Sequence, residues 1–109
     1  MIFIETPSFT GQITDLVEDA VYTEFQKELL QNPNKGDVIP QSGGLRKARM
    51  KLPGRGKSGG ARVIYLHLEQ HVVIVFFYVY TKAKSENLSA EQLKRLRVAA
   101  TIIKQEFKP

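Results

Sequence analysis

The residues able to do chemistry in this chain are concentrated in one stretch. Arg46, Lys47, Arg49, Lys51, Arg55, Lys57 and Arg62 place seven of the sixteen Lys and Arg residues within seventeen positions. No acid falls between Val38 and Leu68. Lys47, Arg49 and Lys51 alternate with Ala48, Met50 and Leu52, the period of a half-buried strand. Side chains on one strand face stand about 7 Å apart, a separation that suits successive phosphates of an extended nucleic-acid strand. Arg and Lys so arranged hold phosphates by Coulomb attraction, and Arg adds bidentate hydrogen bonds. Gly54, Gly56, Gly59 and Gly60 would let backbone N–H groups approach an anion closely, with Arg55 and Lys57 projecting between them. The spacing does not match a Walker A loop. A plainer role stays open: a solvated turn whose charges guard an edge strand.

Other candidates carry less. His67 and His71 have no neighbouring carboxylates in a ligand pattern, so a metal site is not expected. Tyr65, Tyr78 and Tyr80 read as half-core aromatics whose hydroxyls reach water or a partner, and two of them could stack on bases. Asp15, Glu18 and Asp19 read as a solvated helix end. Without clustered Asp and Glu, a Mg²⁺-dependent nuclease site is not expected, and no cofactor is implied.

These residues need elements to position them. Ile2-Phe3-Ile4 is a short opening strand. Thr6-Pro7-Ser8 starts a helix with Phe9, Ile13, Leu16 and Val17 at helical spacing. Val21, Phe25 and Leu29 mark a second helix, stopped by Asn32-Pro33-Asn34-Lys35-Gly36. This helical hairpin should cover one face of a sheet. From Leu45 the period changes to two, and Ala61–Glu69 and Val72–Tyr80 form a hairpin turning at Gln70-His71. Val72 to Phe77 is apolar on both faces, so that strand should be central and covered on both sides. Ser89 and Gln92 form a capping box for a last helix carrying Leu93, Leu96, Ala100, Ile103 and Phe107 on one face. The order β-α-α-β-β-β-α predicts a single α+β domain over residues 1–109, with a mostly antiparallel sheet.

Composition narrows the class. The chain has 109 residues, a formal net charge of +5, and 42% hydrophobic and 25% charged residues, an ordinary globular balance with a leaning toward polyanionic partners. Cysteine is absent, which excludes disulfides, thiolate metal sites and a Cys nucleophile. The longest apolar run, Val72 to Tyr80, is about half of what a membrane helix needs. Met1 to Glu5 lacks the basic start of a signal peptide. A cytoplasmic protein without membrane contact is expected.

Gly43-Gly44-Leu45-Arg46-Lys47-Ala48-Arg49, followed by Gly56-Lys57-Ser58-Gly59-Gly60-Ala61-Arg62-Val63-Ile64-Tyr65, resembles the RelE/HigB superfamily of type II toxins. It is most similar to the HigB-like branch, with G-G-L-R-K-x-R and then G-K-x-G-G-x-R-x-I-Y. Tyr80-Thr81-Lys82 and Leu88-Ser89 match that branch's Y-x-K…L-[ST] pattern. The resemblance spans nearly the whole chain.

The resemblance implies a RelE-like fold and a ribosome-dependent mRNA endonuclease, an mRNA interferase that inhibits translation and is neutralised by a cognate antitoxin, here of the helix-turn-helix HigA-like kind. Partners would be mRNA and the ribosomal RNA around it. Such enzymes need no metal: the RNA's own 2′-hydroxyl attacks the adjacent phosphate. That chemistry needs a base, cations for the phosphorane and an acid for the leaving oxygen. The resemblance puts Arg55 and Lys57 in the loop's cationic positions and Arg62 in that of the phosphate clamp. Lys82 is a proton donor or further clamp, and Tyr80 the aromatic that stacks or orients the nucleotide. Arg46, Lys47, Arg49, Lys51 and Lys84 are the expected RNA contacts. Lys84 stands where relatives often carry Glu, and Asn87 where they carry Asp. Those departures keep a second reading alive, a non-catalytic RNA- or ribosome-binding module. A third is a basic scaffold that docks an acidic partner.

Overall fold

Phe76, invisible as anything but one apolar residue among many, is where the first half of the chain docks. Its ring stacks on Phe9 at 5.0 Å and on Phe3 at 5.6 Å between centroids, and meets Tyr22 edge-on at 5.8 Å. The computed structural model that shows this describes residues 1–54, 60–81 and 87–107.

The elements run β1 (Ile2–Glu5), α1 (Pro7–Leu16), α2 (Asp19–Gln31), β2 (Asp37–Val38), β3 (Arg46–Met50), β4 (Ala61–Leu68), β5 (Val73–Thr81) and α3 (Ala90–Glu106). They form a five-stranded sheet in the order β1-β5-β4-β3-β2. β1 lies parallel to β5, and every other pairing is antiparallel. The expected α+β order holds, with one strand more than expected. Two-residue β2 has no legible period and forms only because Asp37 and Val38 pair with Lys47 and Arg46. The β4–β5 connection is a 3-10 turn, Glu69–His71, closed by Val72 in the left-handed region at φ 55°.

α1 and α3 start where their capping chemistry lies, whereas α2 begins after Glu18 with no side-chain cap. Thr6 accepts from the Phe9 amide ahead of Pro7. Ser89 and Gln92 complete the capping box of α3 from both sides. The sheet is covered on both faces. Phe9, Ile13, Phe25 and Leu29 from the helical hairpin pack against Ala48, Val63, Tyr65, Ile74 and Phe76. On the other face, Leu45, Ile64, Leu66, Val75 and Phe77 pack with Ala100, Leu96 and Ile103 of α3. This explains why β5 is apolar on both sides. Among the described residues, no helix is long and apolar enough to cross a membrane.

Two loops aim β3. Tyr65, fully buried, accepts from the Gly36 amide at 2.9 Å and donates to the Pro33 carbonyl at 2.8 Å, pinning the end of α2 to the sheet. Gly43 and Gly44, at φ +79° and +98°, turn the chain into the strand in a conformation that side chains with a Cβ rarely adopt. Arg97 and Lys104 of α3 donate to the Gln41 and Gly43 carbonyls of this turn. The glycine pair that opens the basic segment is therefore a structural turn. It feeds Leu45 into the core and starts β3 in register.

Candidate nucleic-acid interface

Register decides which cations meet. Arg49 lies directly opposite Arg62, and Arg62 directly opposite Tyr80. Partners directly opposite project to the same face, so Arg49, Arg62 and Tyr80 form a row across three adjacent strands, about 5 Å per step. One row along, Lys47 pairs with Ile64 and Ile64 with Tyr78. Both rows lie on the face that carries α3, since Ile64 and Tyr80 belong to its core. β2 shields only the first two residues of β3. Beyond it, a groove of about 390 Å³ is lined by Lys35, Asp37, Lys47, Arg49, Lys51 and Arg62.

Lys35 is held by Glu28 at 3.1 Å, but the other cations of the groove have no ion pair among the described residues. The ion pairs of the described residues are Lys27–Glu24, Lys35–Glu28, His67–Glu69 and Arg95–Glu91, and none involves Lys47, Arg49, Lys51 or Arg62. Like charges directly opposite one another destabilise a sheet. Arg49 facing Arg62 is thus a local cost of folding that a bound anion would offset. Close packing keeps the pair in register: a Cβ at Gly60 would come within 2.8 Å of the Met50 carbonyl oxygen. Only glycine allows β4 to approach β3 this closely at that point.

Tyr80 ends the row. It is 6% exposed, and its hydroxyl is buried without a hydrogen-bond partner among the described residues. Burial raises its pKa, Arg62 nearby opposes that rise, and Tyr78 adds to it. The phenol therefore remains a donor well into the alkaline range. Tyr78 meets the Tyr80 ring at 5.6 Å, and its hydroxyl accepts from Gln92 Nε2 at 3.2 Å.

Of the residues expected at the site, the fold gathers Lys47, Arg49, Arg62 and Tyr80 on one face, with exposed Lys51 just past the end of β3. Arg46 is not among them. It pairs with Tyr65 on the opposite face, and its guanidinium donates to the Gly36 carbonyl at 2.7 Å and the Asn34 carbonyl at 3.4 Å. Alternation along β3 separates it from Lys47 and commits it to the α2–β2 loop. Arg55, Lys57, Lys82 and Lys84 lie outside the described residues. Lys35 joins the groove without having been marked by the sequence, because it sits in the breaker segment after α2 and reaches the groove only through the tertiary fold. His67 faces Asn34 Oδ1 at 2.8 Å, and His71 packs on Phe107. Among the described residues, no group of three His, Cys, Asp or Glu side chains is placed to hold a metal ion.

Comparison with known proteins places the fold and the family. The fold is similar to that of the E. coli toxin RelE, solved in the free state as a variant with two arginines replaced by alanine. The TM-score is 0.59 at 18% identity, over 87% of this chain and 96% of that one. A family profile described as "RelE toxin of RelE / RelB toxin-antitoxin system" matches residues 17–108, which include every strand of the cationic face and the whole of α3. This chain belongs to the RelE toxin family, the toxin half of type II toxin–antitoxin systems whose toxins act as ribosome-dependent mRNA interferases.

Proposed function

We propose that this protein is a metal-independent endoribonuclease that cuts mRNA in the ribosome, and that it belongs to the HigB-like branch of its family. The observation that carries the reading is the Arg49–Arg62–Tyr80 row, with Lys47 alongside; among the described residues none of these cations is held in an ion pair, and the nearest acid in register is Asp37, opposite Lys47. An RNA strand along this face sets its phosphates against guanidinium and ammonium groups. Arg62, at the centre of the row, is the proposed clamp on the scissile phosphate.

In the proposed reaction the 2′-hydroxyl gives up its proton and its oxygen bonds to phosphorus. The bond from phosphorus to the 5′-oxygen then breaks, and that oxygen takes up a proton. The products are a 2′,3′-cyclic phosphate and a 5′-hydroxyl end. Arg62 and Arg55 stabilise the charge gathering on the phosphorane, the stage at which preorganised donors count most. Lys57 and Lys82 are the proposed proton-transfer groups, since a lysine among other cations loses its proton more readily than a free one. Tyr80 supplies a protonated phenol beside Arg62. Lys47, Arg49, Lys51 and Lys84 hold the flanking strand. The same cationic surface suits ribosomal RNA, and a HigA-like antitoxin in the cytoplasm would silence it by covering the basic face with acidic or apolar residues.

Expression in a bacterium tests this directly. The chain alone should arrest growth, co-expression of the neighbouring reading frame should restore it, and primer extension should find cuts within translated messages. Arg62→Ala should abolish both arrest and cuts while leaving the thermal transition in place. A wild-type protein that associates with ribosomes in a salt-sensitive manner but cuts nothing would establish a binding module instead. An Arg62→Ala protein as toxic as wild type would remove the groove from the mechanism.

A further inference from the structure

Beside the cationic row, on the β5 side, the fold builds a second cleft that phosphate binding does not use. β1 ends at Glu5, opposite Phe76, so the last five residues of β5 have no strand beyond them. α1 closes that side in place of a strand: Gln12 Oε1 accepts from the Val79 amide at 3.1 Å. α3 closes the other through Gln92 and Tyr78. Between the two helices lies a cleft of about 380 Å³, lined by Gln12, Asp15, Leu16, Tyr78, Tyr80 and Gln92.

Its chemistry differs from that of the groove. The floor is a tilted pair of phenol rings. Its upper ring is fixed, because Gln92 is committed at both ends, accepting from the Ser89 amide at 2.9 Å and donating to the Tyr78 hydroxyl. Tyr78 is only half-buried and lines the cleft. The rim carries an exposed carboxylate, Asp15, without an ion pair among the described residues. A rigid aromatic surface with an adjacent acceptor suits an unstacked nucleobase, which unpaired RNA presents face and edge together. It does not suit a phosphate, which Asp15 repels.

We infer that this cleft is a nucleobase subsite, with Tyr78 as its stacking platform and Asp15 as an acceptor favouring bases with an exocyclic amino group over uracil. The inference rests on the endoribonuclease reading and deepens it. Tyr80 joins the two regions, facing Arg62 across the strands and Tyr78 along its own. A nucleotide with its phosphate over Arg62 therefore places its base toward the cleft, about one strand spacing away. Cations on one side and a carboxylate on the other set the direction in which the nucleotide lies.

The test uses ribosomes programmed with a codon series that differs at one base at a time. Wild-type protein should prefer adenine, guanine or cytosine to uracil at one codon position. Tyr78→Ala should lower kcat/KM for the preferred codons about 10- to 100-fold, in the range of one lost base–aromatic stack, and flatten the preference. Tyr78→Phe should retain most of the rate. Asp15→Ala should flatten amino-base over uracil discrimination while leaving uracil codons unaffected. An unchanged preference profile in both Tyr78→Ala and Asp15→Ala would overturn the subsite while leaving the endonuclease standing. Wild-type protein that cuts no codon overturns the endonuclease reading; quenching of 2-aminopurine placed at the same position in ribosome-bound mRNA then reads the subsite alone. Quenching lost in Tyr78→Ala sustains it, and absence of quenching by wild type overturns it.

Discussion

Arg49 and Arg62 illustrate a conflict resolved in favour of function. Two guanidinium groups opposite each other on an antiparallel pair repel, yet neither is held in an ion pair among the described residues. Replacing Arg49 with Gln should therefore raise the stability of the free protein by roughly 0.2–1 kcal/mol, the scale of a cross-strand pair. The gain should shrink as salt screens the pair. The same change should weaken binding to ribosomes and reduce its salt dependence by about one phosphate contact. Thermal unfolding at low and high salt, alongside ribosome co-sedimentation, checks both halves. A variant that loses stability would mean that Arg49 serves packing instead. Arg46, three positions earlier, belongs to a different economy altogether: its guanidinium is spent on loop carbonyls. Charge type alone does not distinguish these two residues, whereas strand alternation does.

At the scale of elements, the helical hairpin and the β3 edge are coupled through one phenol. Tyr65 bridges Gly36 and Pro33 from inside the core, so the end of α2, the short β2 and the groove beside it share a fixed geometry. Removing the hydroxyl in Tyr65→Phe leaves the buried Gly36 amide without its acceptor, which should cost about 1–3 kcal/mol of stability. Chemical denaturation should show the lower midpoint with an unchanged slope. Hydrogen exchange should show the added opening at residues 36–38 and 46–47 before the rest of the sheet. Equal loss of protection throughout would mean that Tyr65 contributes only to the global core. The sequence marked Tyr65 as a half-core aromatic with its hydroxyl toward water or a partner. Its actual partners are backbone groups about thirty residues away, and no local pattern carries that information.

Across the whole molecule, burial sets a boundary on the alkaline side. Tyr22, Tyr65 and Tyr80 all have pKa values raised above the ordinary 10.0, in each case mainly through burial. Glu5, which accepts from the Tyr22 hydroxyl at 2.7 Å, adds to the rise there. A raised pKa means that the folded state holds the proton more tightly than the unfolded chain does. The associated stability is fully present below pH 10, and falls as pH climbs from there toward the higher folded-state values. Denaturant midpoints should be flat with respect to these groups at neutral pH and drop from about pH 10 upward. Phenolate absorbance of the folded protein should lag that of the unfolded chain over the same range. Tyrosines that titrate together at the ordinary value would show the core to be open to water.

The chain alone determined much of this protein. Periodicities of 3.6 and 2 set the helices and main strands, because burial of one face imposes them residue by residue. Capping chemistry marked the starts of α1 and α3. The run of cations without acids marked the surface that an anion would meet, and the glycine–arginine motifs pointed to the family. What only tertiary structure decided were pairings between distant residues. Register set Arg62 between Arg49 and Tyr80, a parallel β1 stopped short and left the end of β5 to α1, and Lys35 entered the groove from a loop. Those outcomes follow from hydrogen-bond register and packing between segments far apart in sequence. A one-residue slip in register would reverse every face while leaving each local pattern unchanged.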